Sequence, residues 1–153
     1  MAMDDIYLFL SHAIALEREA ARRYDELADT MQTFGNTEVE HFFRKMGGFA
    51  RAHLADAMAR GGFRAVPELA HGEYQWPDGT SPEQAAWSGI DAFTDLRSAL
   101  YAALDGEQRS YAYYATIAAT TKNPRVKAMS EEFASEEAEH VTQMEKWIAK
   151  AAV

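Results

Sequence analysis

Residues 46–55 read MGGFARAHLA and residues 135–144 read SEEAEHVTQM, and the fold follows from how the two are related. Each run sits inside a long helical pattern and carries one histidine, His53 in the first and His140 in the second. Three residues before His140 stands Glu137; three residues before His53 stands Ala50. Residues three apart lie on one helix face, so Glu137 and His140 can reach a common point from a single turn. The first run looks like the second with its carboxylate removed.

The likeness extends outward from these runs. Asn36 and Asn123, Val39 and Val126, and His53 and His140 are each 87 residues apart. Further upstream the interval is 90: Glu17 with Glu107, Tyr24 with Tyr114, and Leu27-Ala28 with Ile117-Ala118. The interval changes at TFGNT (33–37) and TKNP (121–124), as it would if the second copy had a turn three residues shorter. The chain therefore reads as an internal repeat of a helical hairpin.

Periodicity gives four helices. The first runs from about Asp4 to Met31, with Leu8, Ala15, Leu16, Ala20, Tyr24, Leu27 and Met31 recurring at three- and four-residue steps. The second runs from about Thr37 to Arg60 and is stopped by Gly61-Gly62. The third spans about Ile90 to Thr121. The fourth starts at Asn123-Pro124, where Asn can cap and Pro suits the first helical position, and reaches about Lys150. Strand signals are nearly absent, so the class is all-α.

Short turns make each consecutive pair an antiparallel hairpin. Residues 61–91 form a much longer connection, rich in turn formers, with a short helix expected from Ser81-Pro82-Glu83-Gln84, which has capping-box spacing. Crossing the length of a bundle explains such a link. It would set helix three parallel to helix two, the single-crossover topology of ferritin-like four-helix bundles.

The bulk properties narrow the chemistry. A chain of 153 residues, 48% hydrophobic and 25% charged, fits one globular domain over 1–153. A net charge of −9 disfavours nucleic acid and anionic membrane as partners. With no cysteine, thiolate chemistry, disulfides, iron–sulfur clusters and cysteine-bound zinc or iron are excluded. A metal would be held by Glu, Asp and His, which points to iron, manganese or zinc. The apolar start of the chain opens with two aspartates and is broken by Ser11, His12, Glu17 and Arg18. Neither a signal peptide nor a spanning helix is expected, and the cytoplasm is the expected compartment.

In a helical bundle, a two-metal site draws a carboxylate from each of two helices and a Glu-x-x-His from each of the other two. Glu107 with Glu137 and His140 makes one such half. The 121–124 turn lies midway between them, so they should sit at one height in the bundle. Glu17 and His53 flank the 33–37 turn in the same way, and only position 50 fails. Asp56, one turn beyond His53, is the acidic residue on helix two nearest the right face, placed to support a ligand rather than to be one. Glu38-x-x-His41 has the same spacing but lies at the far end of helix two and reads as surface. Tyr24 and Tyr114 read first as core aromatics whose hydroxyls could support the ligands.

ALEREAARRYDELA (15–28), GEQRSYAYYATIA (106–118) and FASEEAEHVTQM (133–144) together resemble the rubrerythrin-like branch of the ferritin-like superfamily, over nearly the whole chain apart from the link. The resemblance implies a carboxylate centre, usually of two irons, that reacts with oxygen or peroxide or oxidises ferrous iron. It makes Glu107 and Glu17 terminal ligands and Glu137 a bridge. The chain departs from that pattern at Ala50, in lacking a rubredoxin-like module, and in having Leu104 and Ser110 where rubrerythrins place a further helix-three carboxylate.

The expected metal set is thus Glu17, His53, Glu107, Glu137 and His140, holding one or two ions of iron, or else manganese or zinc. Tyr24, Tyr114 and Asp56 are expected around it. As an enzyme the protein would be a peroxidase or ferroxidase, with a small oxidant or ferrous iron as substrate and a separate electron donor. A homodimer is the expected assembly. The other reading is a ferritin-like scaffold for binding or assembly with a non-catalytic or single-metal site. Gly47-Gly48 fits close helix packing, or room beside the metal that Phe49 could use.

Overall fold

In the computed structural model, residues 3–77, 81–82 and 93–151 are described. They include four long helices, α1 (Ile6–Thr33), α2 (Thr37–Gly61), α3 (Leu96–Thr120) and α4 (Pro124–Ala151), with a 3-10 turn at His71–Glu73 in the link. There is no strand among the described residues. α1 packs along α2 and α3 along α4 as two antiparallel hairpins, and the hairpins meet to make an all-α four-helix bundle.

The ends of the helices show how the hairpins are oriented. The Asn36 amide, in the first turn, donates to the Thr94 carbonyl at 3.1 Å, just before α3. Asn123, in the second turn, donates to the Asp4 carbonyl at 2.8 Å, just before α1. α3 therefore starts at the end of the bundle where α1 finishes and runs parallel to α2. The link must cross the bundle's length, which is the single-crossover arrangement.

Local chemistry sets the boundaries. Asp5 accepts from the Leu8 amide at 2.9 Å and Asp95 from the Ser98 amide at 2.8 Å, each satisfying an orphan donor of the first turn. The Asp95 cap is the reason α3 begins at Leu96 and not near Ile90, as periodicity suggests. Most of the short helix expected from Ser81 lies outside the described residues. α2 ends where Gly62 adopts a left-handed conformation at φ 67°, open to glycine without strain. α4 begins as expected, with Asn123 Oδ1 accepting from the Arg125 amide at 2.9 Å.

The interior divides into two apolar clusters. One, towards the first turn, is built on Tyr24, Ala28, Met31, Phe43, Met46, Leu100 and Met144. The other, towards the second turn, is built on Phe9, Leu10, Ile14, Leu16, Tyr114, Val126 and Phe133. Removing one of these large side chains should cost about 2–5 kcal/mol. Between the clusters lie buried Glu17, Glu107 and Glu137.

Helix α2 runs unbroken through Gly47-Gly48. A Cβ on Gly47 would come within 3.0 Å of the Asp25 carboxylate and 3.3 Å of the Arg51 guanidinium. Those two groups pair at 2.8 Å and tie α1 to α2, so Gly47 answers to close packing. A Cβ on Gly48 would meet nothing within 4 Å.

The link is fastened to α1 at His12. Its Nδ1–H donates to the Leu8 carbonyl at 2.8 Å and its Nε2 accepts from the Gln75 amide at 2.8 Å, which fixes a neutral imidazole. Tyr74 and Trp76 set ring edges against it at 5.4 and 4.9 Å. Burial holds the His12 pKa below its ordinary value, the Leu8 carbonyl opposing this more weakly.

Candidate metal centre

The charged layer between the two cores brings together the five residues placed at one height by the sequence. Glu17 comes from α1, His53 from α2, Glu107 from α3, and Glu137 and His140 from α4. His53 Nδ1 lies 3.5 Å from Glu17 Oε1 and 3.8 Å from Glu137 Oε1. His140 Nδ1 lies 3.4 Å from Glu107 Oε2 and 3.7 Å from Glu137 Oε2. Glu137 thus faces both histidines, one with each oxygen. The two imidazoles stack at 4.9 Å with their planes 10° apart.

Three carboxylates at 7%, 5% and 3% exposure in a bundle core demand compensation, because an isolated buried charge is strongly unfavourable. The pairs across the layer are too long to be good hydrogen bonds. His140 Nδ1 is enclosed and makes no hydrogen bond, although two carboxylates face it. Donors sharing one ion at about 2.1 Å lie about 3.0–3.4 Å from one another, close to the spacing of these atoms. His53, Glu137 and His140 can each present one ligand atom with all three within 4.8 Å. The residues fit a divalent cation bound by nitrogen and oxygen.

Two small cavities open on this layer. The upper one is bounded by Glu17, Glu107, Glu137, His53 and His140, with Tyr24 and Ala50 in its wall. The lower one is bounded by Glu17, His53, Glu136 and Glu137, with Tyr114 and Phe133 in its wall. Each leaves about 10 Å³ for the centre of a water-sized sphere, close to the room needed by a single water.

Burial lowers the pKa of His53, with the nearby charges of Glu136 and Asp56 acting against it. The net direction keeps the imidazole neutral near pH 7, the form that binds metal. Burial also raises the pKa of Glu136, whereas His53 pulls it the other way.

The remaining residues singled out by the sequence are dispersed. Tyr24 and Tyr114 stand in the walls of the upper and lower cavities respectively. Asp56 turns to Arg60 at 2.9 Å, and Arg60 in turn holds Glu132. Asp56 therefore influences His53 by its charge and not by contact. Glu38 and His41 are exposed. Phe49 stacks on His140 at 5.2 Å, using space beside Ala50. One residue was not anticipated: Glu136 Oε2 lies 3.4 Å from His53 Nε2. The sequence carried little signal for it, since its counterpart in the first hairpin is Phe49 and it stands in an acidic run that reads as a solvated face.

No protein-family model matches the chain, and no curated protein matches it. A crystal structure from Magnetospirillum magnetotacticum MS-1, described as an uncharacterized conserved protein, is 41% identical and superimposes with a TM-score of 0.70. The match covers 93% of this chain and 92% of that one. No described helix is long and apolar enough to cross a membrane. With that identity over nearly the full length of both chains, the protein belongs to the family of this uncharacterized conserved protein.

Proposed function

We propose that the protein is a rubrerythrin-like non-haem iron protein whose centre lies between the four helices and acts on oxygen, peroxide or ferrous iron. The observation that carries this reading is the convergence of Glu17, His53, Glu107, Glu137 and His140 in a buried layer, with one carboxylate facing both histidines. Bound iron would supply the redox electrons that no side chain here provides. Glu107, Glu137 and His140 would hold the cation on the α3–α4 side. Glu17 and His53 face it from α1 and α2.

The small size of the cavities favours a small substrate. Each has about the room of a single water, which suits a small oxidant or an iron ion and not an organic molecule. These 153 residues contain no cysteine, so electrons for a peroxidase would come from a separate donor. With ferrous iron as substrate, the iron itself would be that donor.

A second reading is a ferritin-like scaffold with a non-catalytic or single-metal site; Ala50, a methyl where the other half has a carboxylate, favours it. Anaerobic loading with ferrous iron, followed by elemental analysis and peroxide-dependent absorbance changes, separates the two. The iron reading expects bound iron in the native protein, oxidation on mixing with peroxide, and loss of the iron in Glu137→Ala. It fails if the native protein retains no ion and Glu137→Ala behaves identically. Iron that binds but does not respond to oxidant would favour the scaffold.

A further inference from the structure

Tyr24 and Tyr114 are counterparts in the walls of the two cavities, but the rings behind them differ. Behind Tyr24, ring centre to ring centre, come Phe43 at 6.1 Å, Phe42 a further 5.5 Å on, and then Trp147 at 5.8 Å. Behind Tyr114 come Tyr113 at 5.5 Å, Trp76 a further 5.4 Å on, and Tyr74, stacked on Trp76 at 5.7 Å with the planes 7° apart. Phenol and indole rings give up an electron far more readily than phenyl rings. Two phenylalanines therefore interrupt the first series, whereas every ring of the second can be oxidised. Its continuity comes from Tyr113, which stands where the first hairpin has Arg23. Neighbours on a helix point about 100° apart, so Tyr114 closes the lower cavity while Tyr113 meets the link.

We propose that Tyr74, Trp76, Tyr113 and Tyr114 carry single electrons from the link to the metal layer. The proposal rests on the iron reading of the centre. Peroxide takes two electrons and two protons to become two waters. With Ala50 in place of a carboxylate, the centre would hold one ferrous ion, which gives one electron as it becomes ferric. Trp76 gives the other, which passes by the Tyr113 ring and Tyr114 to the layer. The indole N–H proton leaves for solvent, solvent supplies the two protons that peroxide takes, and Trp76 becomes a neutral radical.

The surroundings fix where that radical rests. Burial pushes the pKa of Tyr113 up, and its enclosed hydroxyl makes no hydrogen bond among the described residues. With no group to receive its proton, Tyr113 passes the electron through its ring and keeps its O–H. His12 touches Trp76 at 4.9 Å, but both of its nitrogens are engaged and neither can take the indole proton. Trp76 itself is only half-buried, so water can take the proton there, and a separate donor can refill the ring without entering the bundle.

Core packing is the competing explanation, because buried aromatic rings commonly cluster. Replacement by phenylalanine keeps a ring in place and removes the readily lost electron. The probe is one equivalent of hydrogen peroxide, added anaerobically to protein loaded with ferrous iron and frozen at once. Electron paramagnetic resonance detects the radical, and ring-deuterated tryptophan in the native protein identifies it without any substitution. Peptide mass spectrometry after repeated additions locates the residues that gain oxygen. Trp76→Phe, Tyr114→Phe, the control Trp147→Phe and metal-free protein are treated alike, and circular dichroism checks that each keeps its helices.

The native protein should show a tryptophan radical, narrowed by deuteration, and gain oxygen at Trp76. The signal should vanish in Trp76→Phe and without metal, fall in Tyr114→Phe, and persist in Trp147→Phe. Ferrous iron oxidised by peroxide with no tryptophan radical and no oxygen gained at Trp76 overturns the proposal and leaves the iron reading standing. So does a signal that survives Trp76→Phe, is undiminished in Tyr114→Phe, or is equal in metal-free protein. Iron that does not bind, or that binds and is not oxidised by peroxide, overturns both.

Discussion

Asp5 and Asp95, ninety residues apart, each cap a helix by accepting from the amide three residues on. Asn36 and Asn123 each reach from a hairpin turn to a carbonyl at the start of the other hairpin. Tyr24 and Tyr114 are each about 1% exposed, in opposite cores. In the caps of α1 and α3, the clasps and the core tyrosines the two hairpins agree. They part at the charged layer, where Ala50 is the counterpart of Glu137 and Phe49 the counterpart of Glu136. A cap or a core aromatic serves its own helix and must be present in both copies. A carboxylate in the centre of a bundle serves a point in space, which either hairpin can reach.

The comparison can be broken most severely at Glu137, the carboxylate facing both histidines. Glu137→Ala should abolish retention of iron, weakening binding by more than about 100-fold, whereas Glu136→Gln, at the far nitrogen of His53, should weaken it by about 10-fold. Calorimetric titration of the two side by side checks this ordering.

Next in size is a gain. If a carboxylate is what the first hairpin lacks, Ala50→Glu should raise the iron stoichiometry from one ion to two, because Ala50 lies in the cavity wall at 5% exposure. A stoichiometry that stays at one would show that the two hairpins are not interchangeable at this layer.

The clasps offer a stability test. Asn36→Ala removes one side-chain hydrogen bond to a carbonyl and should cost about 1 kcal/mol. Asn123→Ala also removes the α4 cap and should cost about 1–2 kcal/mol. Equal shifts in urea midpoint would remove that distinction.

The smallest effect concerns His12, which has no equivalent in the second hairpin. Its folded pKa lies below the ordinary value near 6.5, so the unfolded chain takes up the proton first. The contribution of His12 is fully present above about pH 6.5 and is lost as the pH falls below it, because a protonated Nε2 would oppose the Gln75 amide. Thermal unfolding from pH 7.5 to 5 should show a shallower loss in His12→Gln than in the native protein.

Much of this architecture is legible in the sequence, for reasons specific to each part. Long amphipathic periods and short turns give the hairpins, and the repeat fixes the heights of Glu17, His53, Glu107, Glu137 and His140. Glu136 escapes because SEEAEH has the composition of a solvated face, and its contact lies across a gap between helices and not along its own helix. Asp56 looks suitable on helical spacing, but Arg60 one turn away claims it. The start of α3 is misplaced because apolar residues before Leu96 continue the pattern past the Asp95 cap. His12 gives no signal, since its partner Gln75 lies in an irregular link 63 residues away.

The paired asparagine clasps have a consequence for how the asymmetry could arise. Each hairpin's turn holds the other hairpin's first residues, so the contact is self-complementary, as between two copies related by a two-fold axis. In symmetry terms the bundle is a dimer written into one chain. A true dimer of identical hairpins would carry every substitution twice, and an alanine at position 50 would strip both halves of their carboxylate. Only within a single chain can one half lose the group while the other keeps it.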